Sequence, residues 1–190
     1  MNDSPLHEGE GPLAVDILIE AEAWRMLPEA EDIVRRAIAC AAASGVEMRQ
    51  PHYSLPGTAG GAPAVPGRRE LCVLLCDDDT IARLNGQWRG QEKPTNVLSF
   101  PAPPLRGVAP GEKTPLGDIA IAYETLAREA EENRMTVLEH LSHLVVHGFL
   151  HLLGYDHHMD DEAERMERLE RDILARMGVA DPYVACDADI

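Results

Sequence analysis

From Leu13 to Glu20 the chain reads LAVDILIE, with apolar Leu13, Val15, Ile17 and Ile19 at alternate positions. A period of two predicts a half-buried strand. Pro28 then suits the first turn of a helix that runs through Ile33, Val34, Ala37 and Ile38 to Gly45, with Pro near the start and Gly at the end. Arg69 to Cys76 (RELCVLLC) is short and almost wholly apolar, which predicts a buried strand. The triplet Asp77, Asp78, Asp79 after it can cap and electrostatically favour a helix through Ile81, Leu84 and Asn85. Thr95 to Phe100 (TNVLSF), closed by Pro101, and Leu116 to Ala122 (LGDIAIA) read as two more strands. Tyr123 to Arg134 reads as a charged helix.

Thr136 and Glu139 have capping-box spacing, and Leu138, Leu141, Leu144, Val145, Phe149 and Leu152 mark the helix that follows, which Gly154 ends. A last helix, from about Asp160 to Met177, carries Met166, Leu169, Ile173 and Leu174 on one side and acids and arginines on the other. Between the first helix and the second strand, Pro51 to Gly67 is too rich in Pro and Gly for a ladder or helix and predicts a surface loop insertion. Residues 1–12 read as a flexible tail, residues 178–190 as an acidic tail whose end, VACDADI, is frayed, and residues 13–177 as a single domain.

Composition narrows the function classes. The chain has 190 residues, of which 45% are hydrophobic but only 4% aromatic, so the core is aliphatic and any base-stacking surface has few rings to draw on. No apolar run approaches the roughly 18 to 20 residues that span a bilayer, and the acidic, polar start is unlike a signal peptide. A soluble, cytoplasmic protein without membrane partners is expected. Cys40, Cys72, Cys76 and Cys186 show no CxxC spacing and read as reduced thiols. A net charge of -16 argues against binding nucleic acid through bulk electrostatics.

The chemistry concentrates in His147-Gly-Phe-Leu-His151-Leu-Leu-Gly-Tyr-Asp-His157. His147 and His151 lie one helical turn apart and project from one face. Gly154 stops the helix and lets the chain turn back, so that His157 can arrive as a third ligand from a loop. Three imidazoles and one open position make the ligand count of a catalytic zinc rather than a structural one. His140, His143 and His158 lie close enough to compete for the third place. His143 is read as lining the pocket or contacting a ligand, and Asp156 as either orienting a ligand ring or capping the turn. Zinc peptidases place a Glu directly after the first His as general base, but here that slot is Gly148. A helix-interior Gly costs about 1 kcal/mol against Ala, so close approach of substrate or another backbone is expected there.

The whole segment resembles the signature of the YbeY family, bacterial endoribonucleases of rRNA maturation, whose pattern is H-G-x-L-H-L-x-G-Y-D-H. The likeness extends upstream through Leu84-Asn85, Trp88-Arg89-Gly90, Lys93 to Pro101 and Leu116-Gly-Asp-Ile119, and covers roughly residues 13–177. It implies a single α+β domain with a small mixed sheet of about four strands, a central metal-binding helix and flanking helices, a zincin-like arrangement. It also implies one zinc ion on His147, His151 and His157, single-strand-specific RNA cleavage, work on the 3′ end of 16S rRNA, and a part in ribosome quality control. The position matching the family's functional arginine is Arg89.

A bound metal would lower the pKa of its water and polarise a phosphoryl oxygen, while the Arg89 guanidinium would take up the growing charge of the phosphate. The general base stays open among Asp118, Asp156, His143 and His158, or metal hydroxide suffices. From Arg83 to Lys93 three bases, Arg83, Arg89 and Lys93, face one acid, Glu92. Charge is therefore segregated, and Arg83 and Lys93 become candidate RNA contacts beside a small cleft. Binding of long RNA is then expected to be weak and salt-sensitive, with specificity borrowed from the ribosome, its small subunit or assembly factors. DNA is not an expected partner. The competing readings are a zinc hydrolase of a peptide or small substrate, which Gly148 disfavours, and a non-catalytic ribosome-assembly factor, which three ligands rather than four disfavour.

Overall fold

In the computed structural model, which describes residues 13–46, 68–103 and 112–183, the alternating run at the start is β1 (Leu13–Ile19). A single turn, α1 (Glu22–Arg25), and then α2 (Ala30–Ala43) lead to β2 (Arg69–Cys76), α3 (Asp78–Arg89), β3 (Val97–Pro101) and β4 (Thr114–Ala122). The chain ends in α4 (Tyr123–Glu132), α5 (Val137–Leu152) and α6 (Asp160–Met177). The four strands form one sheet in the order β1-β2-β4-β3. β1, β2 and β4 are mutually parallel, and β3 runs antiparallel to β4, with Phe100 opposite Asp118 and Ser99 opposite Ile119. This is the mixed four-stranded α+β domain expected from the sequence.

The pleat sends alternate residues of each strand to opposite faces, and the two faces are covered unequally. Leu71, Val73 and Leu75 of β2 with Ile119 and Ile121 of β4 join the main core against α2, α5 and α6. Cys76, Leu98, Ala120 and Ala122 form a smaller cluster on the other face with Ile81 of α3, and Leu84 and Phe100 pack against it. So α5 and α3 lie on opposite sides of the sheet, and β3 is the edge strand that both touch. The turn α1, which the sequence pattern does not announce, buries Trp24, whose indole Nε1 donates to the Cys76 carbonyl at 2.8 Å.

Local chemistry sets the helix ends. The Asp77 carboxylate accepts from the Thr80 amide at 2.7 Å and caps α3. Thr136 and Glu139 complete the reciprocal capping box of α5. Gly148 answers for close packing against the sheet rather than for substrate: a Cβ there would lie 3.0 Å from Ser99 Oγ and 3.1 Å from Ile119 Cγ2, and Ser99 Oγ donates to the Gly148 carbonyl at 3.2 Å. Cys40, Cys72 and Cys76 are free thiols. Residues 1–12, the 51–67 insertion and Cys186 lie outside the described residues. The end expected to be frayed, residues 184–190, also lies outside the described residues; just before it the Tyr183 amide donates to Asp181 at 2.9 Å.

Two stability measurements follow. Gly148→Ala is expected to destabilise by about 1–3 kcal/mol through overpacking, against the roughly 1 kcal/mol that Ala contributes in a free helix. Unchanged or higher stability in urea would show that the sheet yields. Asp77→Ala is expected to cost about 1 kcal/mol at neutral pH. Hydrogen bonds from the Thr80 backbone and side chain lower the Asp77 pKa, so its contribution is complete above the unfolded value of about 3.9 and fades as pH falls through the lower folded one. The variant and the parent should therefore converge only in acid.

Candidate metal centre

The end of α5 builds the site. Gly154, at φ +85°, takes the left-handed conformation that stops the helix. The Gly154 amide donates to the His151 carbonyl at 3.0 Å and the Tyr155 amide to the Leu150 carbonyl at 3.1 Å, the paired bonds of a Schellman motif. The motif aims the Tyr155 carbonyl back at the helix, where it accepts from His151 Nδ1 at 2.9 Å. It also returns the chain so that His157 comes within reach: ring centroids lie 5.5 Å from His147 and 5.0 Å from His151.

A second partner comes from α6. Glu170, wholly buried, accepts from His147 Nδ1 at 2.7 Å. Burial pushes the Glu170 pKa up, but His143, His147 and Tyr183 point at it and outweigh that effect, holding it down to about 2. It is therefore a carboxylate and accepts only. The Tyr183 hydroxyl donates to its other oxygen. His143 Nε2 lies 3.5 Å from that same oxygen, an electrostatic contact too long for a good hydrogen bond.

These partners decide which ring nitrogens are available. A carbonyl and a carboxylate can only accept, so neutral His147 and His151 both carry their proton on Nδ1 and both present a lone pair at Nε2. With both rings neutral, those two lone pairs face each other at 3.1 Å with no proton between them. Tetrahedral coordination at 2.0–2.1 Å would set such nitrogens about 3.3 Å apart. Burial first, then His147 and His157, lower the pKa of His151 to about 4, so it is neutral at physiological pH and its Nε2 lone pair is free. One ring nitrogen from each of His147, His151 and His157 lies within 4.8 Å of the others, and among the described residues no fourth His, Cys, Asp or Glu joins the group. The donor set fits a divalent ion with an open coordination position.

The remaining sequence-predicted residues divide by sheet face. His143 lies beside His147 and Tyr183, with ring centroids 6.2 Å and 5.7 Å away. Asp156 accepts from the His157 amide at 2.8 Å and lies 3.4 Å from His158 Nε2; it caps the turn, and ring orientation falls to Glu170 and Tyr155 instead. His140 bonds to Glu129 at 2.9 Å, away from the trio. Asp118 shares the pleat of Ala120, beneath α3, so the sheet separates it from α5 and makes it a poor general base for this centre. Arg83, Arg89 and Lys93 are exposed on the α3 side. Arg83 bonds to Thr80 at 2.9 Å, and Arg89 sits in the last turn of α3. Sequence reasoning missed Glu170 and Tyr183: one lies among ten other acids and bases of α6, and the other in a segment read only as an acidic tail.

Comparison with known proteins places the chain. A family model described as Endoribonuclease YbeY matches residues 58–178. An Endoribonuclease YbeY of Bradyrhizobium sp. strain BTAi1 is 50% identical over 170 residues, which is 88% of this chain and 90% of the relative. Another, of Rhodopseudomonas palustris strain BisB18, is 50% identical over 177 residues, 93% of this chain and 95% of that one. A solution structure of a Thermotoga maritima protein, TM1509, aligns over 93% of this chain and 100% of its own at 21% identity and a TM-score of 0.45. Half of the positions are shared with the curated relatives along nearly the full length of both partners, and the match includes the histidine segment of α5: the chain belongs to the YbeY endoribonuclease family.

Proposed function

We propose that this chain is a zinc-dependent endoribonuclease that cuts single-stranded RNA, acting in the cytoplasm on the 3′ end of 16S rRNA and in ribosome quality control. The observation that carries the reading is the approach of Nε2 of His147 and Nε2 of His151 to 3.1 Å, joined by a nitrogen of His157. When bound, a divalent ion supplies Lewis acidity to the scissile phosphate and to the attacking water. His147, His151 and His157 would hold it, and an all-imidazole set suits zinc among the first-row metals.

The chain's own groups do the rest. Glu170 keeps the proton of His147 on Nδ1, and the Tyr155 carbonyl does the same for His151, so both Nε2 atoms stay available as donors and fixed in direction. Arg89, at the position of the family's functional arginine, supplies a planar guanidinium to the charge that builds on the phosphate. It lies across the sheet from α5, so a substrate that meets both must pass over the free edge of β3. A flexible single strand makes that bend far more readily than a duplex. Arg83 and Lys93 add phosphate contacts, and delivery by the small ribosomal subunit offsets the repulsion of a chain of charge -16. A peptidase reading is weaker, because Gly148 removes the usual base and Ser99 and Ile119 crowd the space beside it.

Two measurements test this. With a labelled single-stranded rRNA fragment, cleavage by the zinc-loaded protein should vanish on chelation and in His151→Ala, and fall by roughly 100-fold or more in Arg89→Ala. Cleavage that survives chelation and both substitutions contradicts the reading. In chelator competition, Glu170→Gln should weaken zinc binding by about 10- to 100-fold. Tyr183→Phe, which removes only a bond to the far oxygen, should weaken it less. Affinities within twofold of the parent would show that Glu170 does not position His147.

A further inference from the structure

The chain has two tryptophans, and they are placed in opposite ways. Trp24 is fully buried with its indole N–H bonded to the Cys76 carbonyl. Trp88 is 65% exposed at the last turn of α3, although a ring of that size gains most when it is buried. It is not loose: its ring lies 5.8 Å from that of Phe100, tilted by 56°, and Phe100 packs on the small core beneath α3. An open aromatic face is thus held by a second ring on the edge strand β3.

Charge is arranged around it. Arg89 is the next residue, and Gly90 ends the helix in the left-handed conformation. Asn85 Nδ2 donates to the Lys93 carbonyl at 2.9 Å, which folds the following loop, and Lys93 with it, back along the helix. The one acid of this segment, Glu92, lies against Gly86, where its Cγ would sit 2.7 Å from an added Cβ. Gly86 and Trp88 are two positions apart and point to opposite sides of the helix, so Glu92 is turned away from the ring. Asp118, opposite Phe100 on β4, would repel a phosphate on this face, which leaves it to a base. The same strand leads to the metal centre, because Ser99, the neighbour of Phe100, bonds to the carbonyl of Gly148 next to His147.

We infer that Trp88, supported by Phe100, is a stacking platform for an unpaired base of the RNA substrate, with Lys93 on a flanking phosphate. The inference rests on the reading of the chain as a nuclease of single-stranded RNA. Stacking is tolerant of sequence because every base has a π-face, and it requires that the base be unpaired. It would therefore select single strands without selecting a sequence.

The test uses the emission of the full chain, in which only Trp88 is open to a ligand. It is titrated with a 2′-O-methyl oligoribonucleotide and with an abasic oligomer of the same length, and cleavage of the matching RNA is followed in parallel. The base-bearing oligomer should quench the emission and the abasic one should not. Trp88→Ala should abolish the quenching and raise KM by roughly 5- to 100-fold, more than it lowers kcat, and Trp88→Tyr should restore most of the affinity. Equal responses to both oligomers would mean phosphate contact alone and overturn the platform. Unaltered emission and KM alongside normal cleavage would also overturn it, would point to a protein partner for Trp88, and would leave the nuclease reading standing. Absence of both binding and cleavage would remove the nuclease reading and the platform with it.

Discussion

Two hydrogen bonds on the far side of two imidazoles organise this protein. Glu170 accepts a hydrogen bond from Nδ1 of His147 and the Tyr155 carbonyl one from Nδ1 of His151, and in the neutral rings this turns two lone pairs toward each other at 3.1 Å. Like poles at that separation are unfavourable alone, so the geometry is stable only as part of a frame that holds it. The frame is the main core. α5 is clamped between α2, α6 and the sheet, with Leu141, Val145 and Leu150 fully buried, and the Schellman turn fixes the carbonyl that His151 meets.

Glu170 shows what the arrangement costs. A carboxylate removed entirely from water is strongly disfavoured unless it is paired and hydrogen-bonded. Here His147, His143 and Tyr183 surround it. Burial and the carboxylate together raise the pKa of Tyr183, so that its hydroxyl remains a donor. Arg171 lies over the Tyr183 ring at 5.2 Å and reaches Asp181 at 3.4 Å. The turn after α6 is thereby tied to the metal centre.

What the sequence disclosed and what it hid divide along one line. Features set by spacing along the chain were legible: the i, i+4 pair of His147 and His151, the glycine that ends their helix, the Thr136–Glu139 box, and the apolar run of β2. Features set by packing were not. Glu170 stands in a helix dense with acids, and only the approach of α6 to α5 distinguishes it. The Tyr155 carbonyl is backbone and carries no residue identity at all. Asp118 was within reach of sequence reasoning, because Ile119 and Ile121 had to face the main core and the pleat then sent Asp118 the other way. Gly148 left two occupants open, a substrate or another part of the chain, and packing decides between them: Ser99 and Ile119 of the sheet already occupy that room.

The central claim is that Nε2 of His147 and of His151, with one nitrogen of His157, grips a single divalent ion. The most direct measurement is long-range proton–nitrogen correlation of the imidazoles during zinc titration of the full chain. The account predicts that His147 and His151 begin as Nδ1–H tautomers, and that their Nε2 signals shift together with one nitrogen of His157 and saturate at one equivalent of zinc. Ligation through Nδ1 of His147 or His151, or saturation without a change at His157, would contradict it.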